Sequence, residues 1–288
     1  PFPSLHYTYD DHGDITAIGK TAGGSELGGF QYSADRLPQR WTVSDWKRTI
    51  EYTGAGWVRS MVTRSTAGNQ SFALNFIYQA DGAPSSREAK YAFTGFAASH
   101  TDTFTYDAQR RLVGAAGSSN LQAATYDPNG NLWAVTRGGK LSTFPCAPGS
   151  NRVQSASVDG APAGALAWNA RGQLLNGLGR SFEYLPATGR TRAVLTGGAR
   201  LALAYGGVHQ RVVKQDISSG RCSVHFLGAG DVPVASLVDG VWGVTVHSPM
   251  GPIAWIASRT LFLLGDTTRS VWGAVADGTL ACATAWTP

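Results

Sequence analysis

Apolar and polar residues alternate with a period of two in short runs, and each run is cut by a cluster of turn residues. Around Asn131 the chain reads Asn131-Leu132-Trp133-Ala134-Val135, an alternation that signals a half-buried strand. Just before it stands Asp127-Pro128-Asn129-Gly130. Proline presets φ at the first central position, the aspartate carboxylate can accept from the turn's own backbone, and glycine suits a left-handed residue. Residues 123–135 therefore predict one β-hairpin. A lone hairpin is marginal in water, so its neighbours must pair edge to edge into a larger sheet. Helical periodicity is nearly absent.

The same phrase recurs. Tyr7-Thr8-Tyr9-Asp10 is followed by Gly13 and Ile15, and Phe104-Thr105-Tyr106-Asp107 by Arg111 and Leu112. Weaker copies are Phe30-Gln31-Tyr32, Ile50-Glu51-Tyr52, Phe76-Ile77-Tyr78, Leu166-Ala167-Trp168-Asn169, Phe182-Glu183-Tyr184 and Leu203-Ala204-Tyr205. The usual interval is about twenty residues, a period that signals stacked supersecondary units and is half that of a propeller blade. The expected fold is all-β: a spiral of antiparallel hairpins forming a curved sheet or hollow shell, one domain over residues 1–288. Tyr9, Tyr106 and Tyr126 should end equivalent strands, with Asp10, Asp107 and Asp127 accepting from turn backbone.

Composition fits this picture. The 36 glycines suit turn-dense β structure, and the run Thr260-Leu261-Phe262-Leu263-Leu264 is strand length, too short to span a membrane as a helix. Nothing resembles a signal peptide. The chain opens on Pro1-Phe2-Pro3 and stops at Trp286-Thr287-Pro288, and we read it as a piece of a longer protein. Charged residues are 15% of the chain, well below the usual value of about 25%. With nine tryptophans, this suggests much surface buried between turns, or a wall facing an enclosed space.

The net charge of +5 is concentrated. Residues 171–221 carry eight basic side chains (Arg171, Arg180, Arg190, Arg192, Arg200, Arg211, Lys214, Arg221) against Glu183 and Asp216. No nucleic-acid motif accompanies them. Arg171, Arg190 and Arg211 fall in the turn regions of three consecutive units, so they are expected to line up as an exposed basic column open to an anionic surface. Cys146, Cys222 and Cys282 form no Cys-x-x-Cys pair, which leaves zinc and redox motifs unsupported. One disulfide with a spare thiol, or free buried thiols, both remain open.

The phrase Tyr-Asp-x-x-Gly-x-Leu resembles the YD repeat of Rhs proteins, also found in toxin-complex B and C components, wall-associated proteins and teneurins. Asn151-Arg152-Val153, Val158-Asp159-Gly160, Trp168-Asn169 with Gly172 and Leu174, and Phe182-Glu183-Tyr184 with Gly189-Arg190 look like consecutive repeats of such a core. Gly251-Pro252-Ile253-Ala254, the strand from Thr260, Gly265-Asp266, Arg269-Ser270-Val271 and Asp277-Gly278 are similar to the family's later order. Many copies lack the aspartate, as at Tyr32-Ser33, Tyr52-Thr53, Tyr184-Leu185 and Tyr205-Gly206. The Asp-Pro-x-Gly core linked to self-cleavage in some members has no match, so protease activity is not carried over. The resemblance implies a shell that encloses a toxic segment or serves adhesion, at an extracellular or cell-surface location. Its implied partners are the rest of the shell and an enclosed or adjoining polypeptide.

Chemistry is scarce. There is no Gly-x-Ser-x-Gly elbow, His-Glu-x-x-His, P-loop or dinucleotide fingerprint. No cofactor, metal, specific nucleic acid or membrane span is expected, and the chain reads as no enzyme. A serine with His209 or His225 and Asp231 could assemble a hydrolytic site. Asp10, Asp11 and Asp14 around Gly13 could form a cation loop, although the equivalent positions elsewhere serve turns. Trp41, Trp57 and Trp133 fall in second strands of hairpins and could hold sugar rings, against the alternative of packing ladders between coils. The leading function is thus a non-catalytic scaffold. An adhesion or glycan-binding module comes second, and a hydrolase third.

Overall fold

A computed structural model describes residues 4–19, 26–66, 70–93, 95–117, 121–207, 210–228, 232–248, 251–257, 260–265, 271–276 and 279–283. Among them there is no helix. Every strand lies beside the next one in sequence, in three runs of ten, five and thirteen strands over residues 6–116, 121–165 and 167–283. All the described pairings are antiparallel. The all-β hairpin fold expected from the repeats is the fold found.

One turn design recurs. The Asp127 amide donates to the Asn131 carbonyl at 2.9 Å, and the Gly130 amide donates back to the Asp127 carbonyl at 3.0 Å. Gly130 has φ 85°, and the strand register slips by one residue between Thr125 and Tyr126. This is a turn closed by a left-handed residue and a bulge. The same pair of backbone bonds closes the turns starting at Asp10, Ser33, Thr53, Gln79, Asp107 and Asn169. Arg36 and Arg110 take the left-handed position in two of them, at φ 61° and 63°.

In six of these seven turns the first side chain braces the turn; in the turn from Gln79 the oxygen is Asp81 Oδ1, which takes the Ala83 amide at 3.1 Å. Asp10 Oδ1 accepts from the amides of His12 and Asp14, Asp107 Oδ1 from Gln109 and Arg111, and Asp127 Oδ1 from Asn131. Copies without aspartate keep the acceptor: Ser33 Oγ takes the Leu37 amide at 3.1 Å and Thr53 Oγ1 the Trp57 amide at 3.2 Å. Asparagine does the same at Asn169. In these six the copy-to-copy change of residue type thus conserves an oxygen at one place, the property an Asx or ST turn needs.

The tyrosine of the phrase has a second task. Tyr32 Oη donates to the Ile15 carbonyl, Tyr52 to Pro38, Tyr78 to Val58, Tyr126 to Leu112, Tyr184 to Leu174 and Tyr205 to Thr191, all at 2.7–2.9 Å. Each acceptor is the first residue of the strand preceding the tyrosine's own. Trp168 Nε1 donates to the carbonyl of Val153, which lies further upstream in a bridge with Cys146. Six hairpins are therefore clasped to the one before by a hydroxyl reaching over the shared strand boundary. Burial pushes the phenols of Tyr32, Tyr52, Tyr78 and Tyr184 above the usual tyrosine range.

The chain divides into two compact units, residues 1–103 with 243–288, and residues 104–242. The first has a continuous core on one sheet face. Strand Trp46–Tyr52 buries Trp46, Arg48 and Ile50 in strict alternation, and Phe30, Trp41, Val43, Met61, Phe72, Leu74 and Ala89 extend the layer. Val246, Ile253, Ala254 and Ile256 from the late strands join this cluster. An Arg87–Asp102 ion pair lies within this unit, with Asp102 fully buried. Arg48 Nε donates to buried Thr63 Oγ1 at 2.8 Å while its guanidinium lies 4.8 Å from the Trp41 ring. The second unit buries little: Ala115 and Ala124 with Phe104, Leu112, Tyr126 and Val135 around them, and separately Ala156 and Ala193.

Candidate functional site

A concavity of about 630 Å³ lies within the second unit, on one face of its sheet. Directly paired residues share a face. Phe182 opposes Val194, Val194 opposes Leu201, and Leu201 opposes Asp216; beyond them Lys214 opposes Ser223, and Ser223 opposes Val238. Strand pairing thus assembles an apolar floor of Phe182, Val194, Leu201 and Val238 from residues up to 56 positions apart. Arg180, Arg200 and Arg221 stand at its margin, beside the tight turns.

Its cations fall into two groups. Arg200 Nη2 is 2.8 Å from Glu183, which Arg192 approaches at 3.8 Å, and Arg221 Nε is 2.9 Å from Asp239. The Arg221 guanidinium, with the Cys222 amide, holds the Asp239 carboxyl below the usual carboxylate range. Asp216 is lowered as well, by hydrogen bonds from the Ser219 side chain and then from the Ser219 and Ser218 amides. Arg180 and Lys214 meet no carboxylate among the described residues and are exposed. The arrangement can hold an anionic group against an apolar surface. The lining holds no histidine, so the groove lacks the usual general base for a nucleophile.

The basic column predicted from spacing lies at the other ends of the same strands. Arg171 sits in the turn 169–173, and its Nη1 donates to the Pro186 carbonyl of the next repeat turn at 2.7 Å. Arg190 closes that turn, with its guanidinium 5.4 Å from the Tyr205 ring. Arg211 is exposed at the start of strand Arg211–Asp216. Two of the three cations thus brace neighbouring repeats. The basic stretch of the sequence is split by the fold between the two ends of these strands.

The tryptophans do not form a platform. Trp41 is 2% exposed, in the core of the first unit, and offers no face to a sugar. Trp57 is the last residue of a turn rather than a strand residue; its ring lies 5.3 Å from that of Tyr78. A Cβ on Gly82, whose φ is +89°, would fall 2.7 Å from the Trp57 ring, so this indole packs onto the next turn. Trp133 alone is open, at 45%. No two of these rings touch.

The carboxylates of the candidate cation loop serve the scaffold. Asp10 caps its own turn, and Asp14 pairs with Arg36 Nε at 2.8 Å, which lowers the Asp14 carboxyl. His225 Nδ1 is 2.8 Å from Ser236 Oγ across two adjacent strands, but Ser236 is 6% exposed and neither residue lines the groove. His209 and Asp231 lie outside the described residues, as do residues 266–270 and 277–278. Cys146 and Cys222 are free thiols, both half-buried.

Neither a family model nor a curated protein sequence matches the chain. Solved structures do. A Photorhabdus luminescens Tc holotoxin pore carrying a TccC3-D651A mutation aligns at TM-score 0.72 and 15% identity over 96% of this chain. A TcdB2–TccC3 complex aligns at TM-score 0.66 and 14% identity, also over 96%. This chain spans only 16% and 17% of those two chains. At such identity the likeness establishes a shared fold: the hairpin-repeat architecture of these toxin-complex components is the architecture of this chain.

Proposed function

We propose that the chain is a non-catalytic scaffold, one section of a repeat-built shell that encloses or displays another polypeptide. The observation that carries this reading is the contrast between thorough bracing and an uncovered surface in residues 104–242. Hairpin after hairpin is clasped and capped, yet Leu132, Trp133, Leu141, Leu175, Leu178, Phe226 and Trp242 stay exposed. The Phe226–Trp242 ring pair is the contiguous part of this surface, and exposed apolar side chains that gather in this way mark an interaction site. The shared fold with toxin-complex components supports the same reading. A secreted or cell-surface location accompanies it. Cross-linking mass spectrometry on the protein made from its native gene tests the idea. Links from Lys140 and Lys214 to polypeptide outside residues 1–288 are expected. Esterase or glycosidase activity abolished by Ser236→Ala would overturn it.

A glycan-binding or adhesion role is the second reading, favoured by Trp133 and by the Phe226–Trp242 ring pair, 5.2 Å apart and exposed. Glycan-array binding lost in Trp133→Ala or Trp242→Ala would select it. The column of Arg171, Arg190 and Arg211 remains a proposed contact for an anionic surface. Heparin retention unchanged in the triple Arg→Gln variant would dismiss it.

A further inference from the structure

The rim of the groove in residues 180–239 is uneven in charge. Side chains two apart on a strand share a face, so exposed Arg180 stands beside Phe182, and Thr196, which opposes Arg180, stands beside Val194. This corner offers a guanidinium and a hydroxyl. Arg180 meets no carboxylate among the described residues, and Glu183, three positions on, is engaged by Arg200 at 2.8 Å. The far side differs: Lys214 shares its face with Asp216, and Arg221 pairs with Asp239.

From the Arg180 corner runs the apolar row Phe182, Val194 and Leu201. Three adjacent strands contribute it, and at about 4.8 Å between strands it is about 10 Å long. The groove's volume of about 630 Å³ is that of a small-molecule cleft. Beneath the row the backbone is consumed by the sheet ladder on both sides. A polypeptide laid there would turn N–H and C=O groups toward side chains that cannot pair them, which costs free energy. An alkyl chain has no such groups to satisfy.

We propose that this groove binds a medium-chain aliphatic carboxylate, its head group held by Arg180 with the Thr196 hydroxyl and its tail laid along Phe182, Val194 and Leu201. A guanidinium meets a carboxylate with two parallel N–H donors. It is also more weakly hydrated than an ammonium, which suits a half-apolar site. Lys214 adds its aliphatic stem to the far end of the row. The inference goes beyond the scaffold reading, since a shell section needs no small ligand, and the two are tested by separate experiments.

The test titrates the 288-residue chain with decanoate kept below its micelle concentration, followed by calorimetry and amide exchange. One site per chain is expected, with slowed exchange confined to residues 104–242. Decanol, which lacks the charge, should bind about five- to tenfold more weakly, the worth of one hydrogen bond. Octanoate should lose about five- to tenfold for its two missing methylenes, and acetate should not bind. Arg180→Gln should weaken decanoate by about five- to tenfold and leave decanol unchanged, a split that a merely structural loss would not give. Arg171→Gln, at the opposite strand ends, should change neither. Absence of binding at millimolar decanoate, equal affinity for decanol and decanoate, or an unaltered decanoate affinity in Arg180→Gln would overturn the proposal. So would protection spread over both compact units, which marks a surfactant effect. Binding only to vesicles of anionic lipid would overturn it by naming a membrane surface, and displacement of decanoate by an equal concentration of tetraglutamate by naming polypeptide as the occupant.

Discussion

The two compact units solve one problem with different means. In residues 1–103 with 243–288, apolar side chains on one sheet face are covered by Val246, Ile253, Ala254 and Ile256, and the layer excludes water as a core does. In residues 104–242 the same hairpins, turns and clasps recur with only small buried alanines beneath them. Hydrophobic burial is the dominant favourable term in folding, so the second unit relies more on its ladder, caps and clasps. The repeat motif specifies the hairpin and its joint to the last one. It does not specify whether a face will be covered.

The largest expected effect is confined to the first unit. Asp102→Ala would leave Arg87 without its carboxylate in a buried setting, and breaking such a pair costs about 3–5 kcal/mol. Urea unfolding followed by tryptophan fluorescence should show the loss. Next in size is a matched pair. Ile253→Ala should cost about 2–5 kcal/mol, whereas Trp133→Ala should stay within about 0.5 kcal/mol, because Trp133 is exposed and Ile253 is 3% exposed. Equal costs would erase the distinction between a covered and an uncovered face.

Smaller effects test what the units share. Tyr52→Phe and Tyr205→Phe each remove one clasp and should each cost about 0.5–1.5 kcal/mol. Asp127→Ala should cost about 0.5–2 kcal/mol, like the loss of a helix cap. Exchange measurements should show the Tyr205 and Asp127 losses confined to residues 104–242. The subtlest test is pH. The carboxyls of Asp107, Asp127, Asp216 and Asp239 in the second unit are lowered, led respectively by the Arg111 amide, the Asn131 side chain, the Ser219 side chain and the Arg221 guanidinium. A lowered folded pKa gives stability that is present above the unfolded value of about 3.9 and lost as pH falls through the folded one. Asp14 and Glu88 are lowered in the first unit as well, but residues 104–242 have little buried core to fall back on, so they should lose amide protection first below about pH 4. At the other extreme, the raised phenols favour the folded state below about pH 10 and cease to as pH rises through their folded values. Three of the four raised clasp tyrosines (Tyr32, Tyr52, Tyr78) lie in the first unit.

What could be read from sequence follows the range of the interaction. Asp127-Pro128-Asn129-Gly130 announces its turn because all the bonds that close it lie within five residues. Ser33 and Thr53 look like lost copies when the reading follows the carboxylate, yet each retains the accepting oxygen. The tyrosine clasp was not legible: its acceptor is 10 to 20 residues upstream and is a backbone carbonyl, which carries no residue signature. Trp41 and Trp133 share a second-strand position, so position alone does not separate the buried ring from the exposed one; what covers the face does. The groove was missed for the same reason. Arg180 and Lys214 sit three strands apart in the sheet and 34 residues apart in the chain, whereas equal spacing marks out Arg171, Arg190 and Arg211 at the opposite strand ends.

Both flanks of the middle segment belong to one core, with residue 253 packed among residues 18 to 93. Pulled by its two ends in an optical trap, such a chain can shed its outermost strands, but residues 104–242 carry no load while that core survives. Rupture of the joint between early and late strands should be the strongest event. Hairpins released afterwards would each lengthen the tether by about 70 Å, from about twenty residues at about 3.3–3.6 Å apiece. The same closure means that a protease cut in residues 104–242 leaves two fragments still fastened to each other. Mechanically the molecule is a buckle with a strap, and the buckle bears the load.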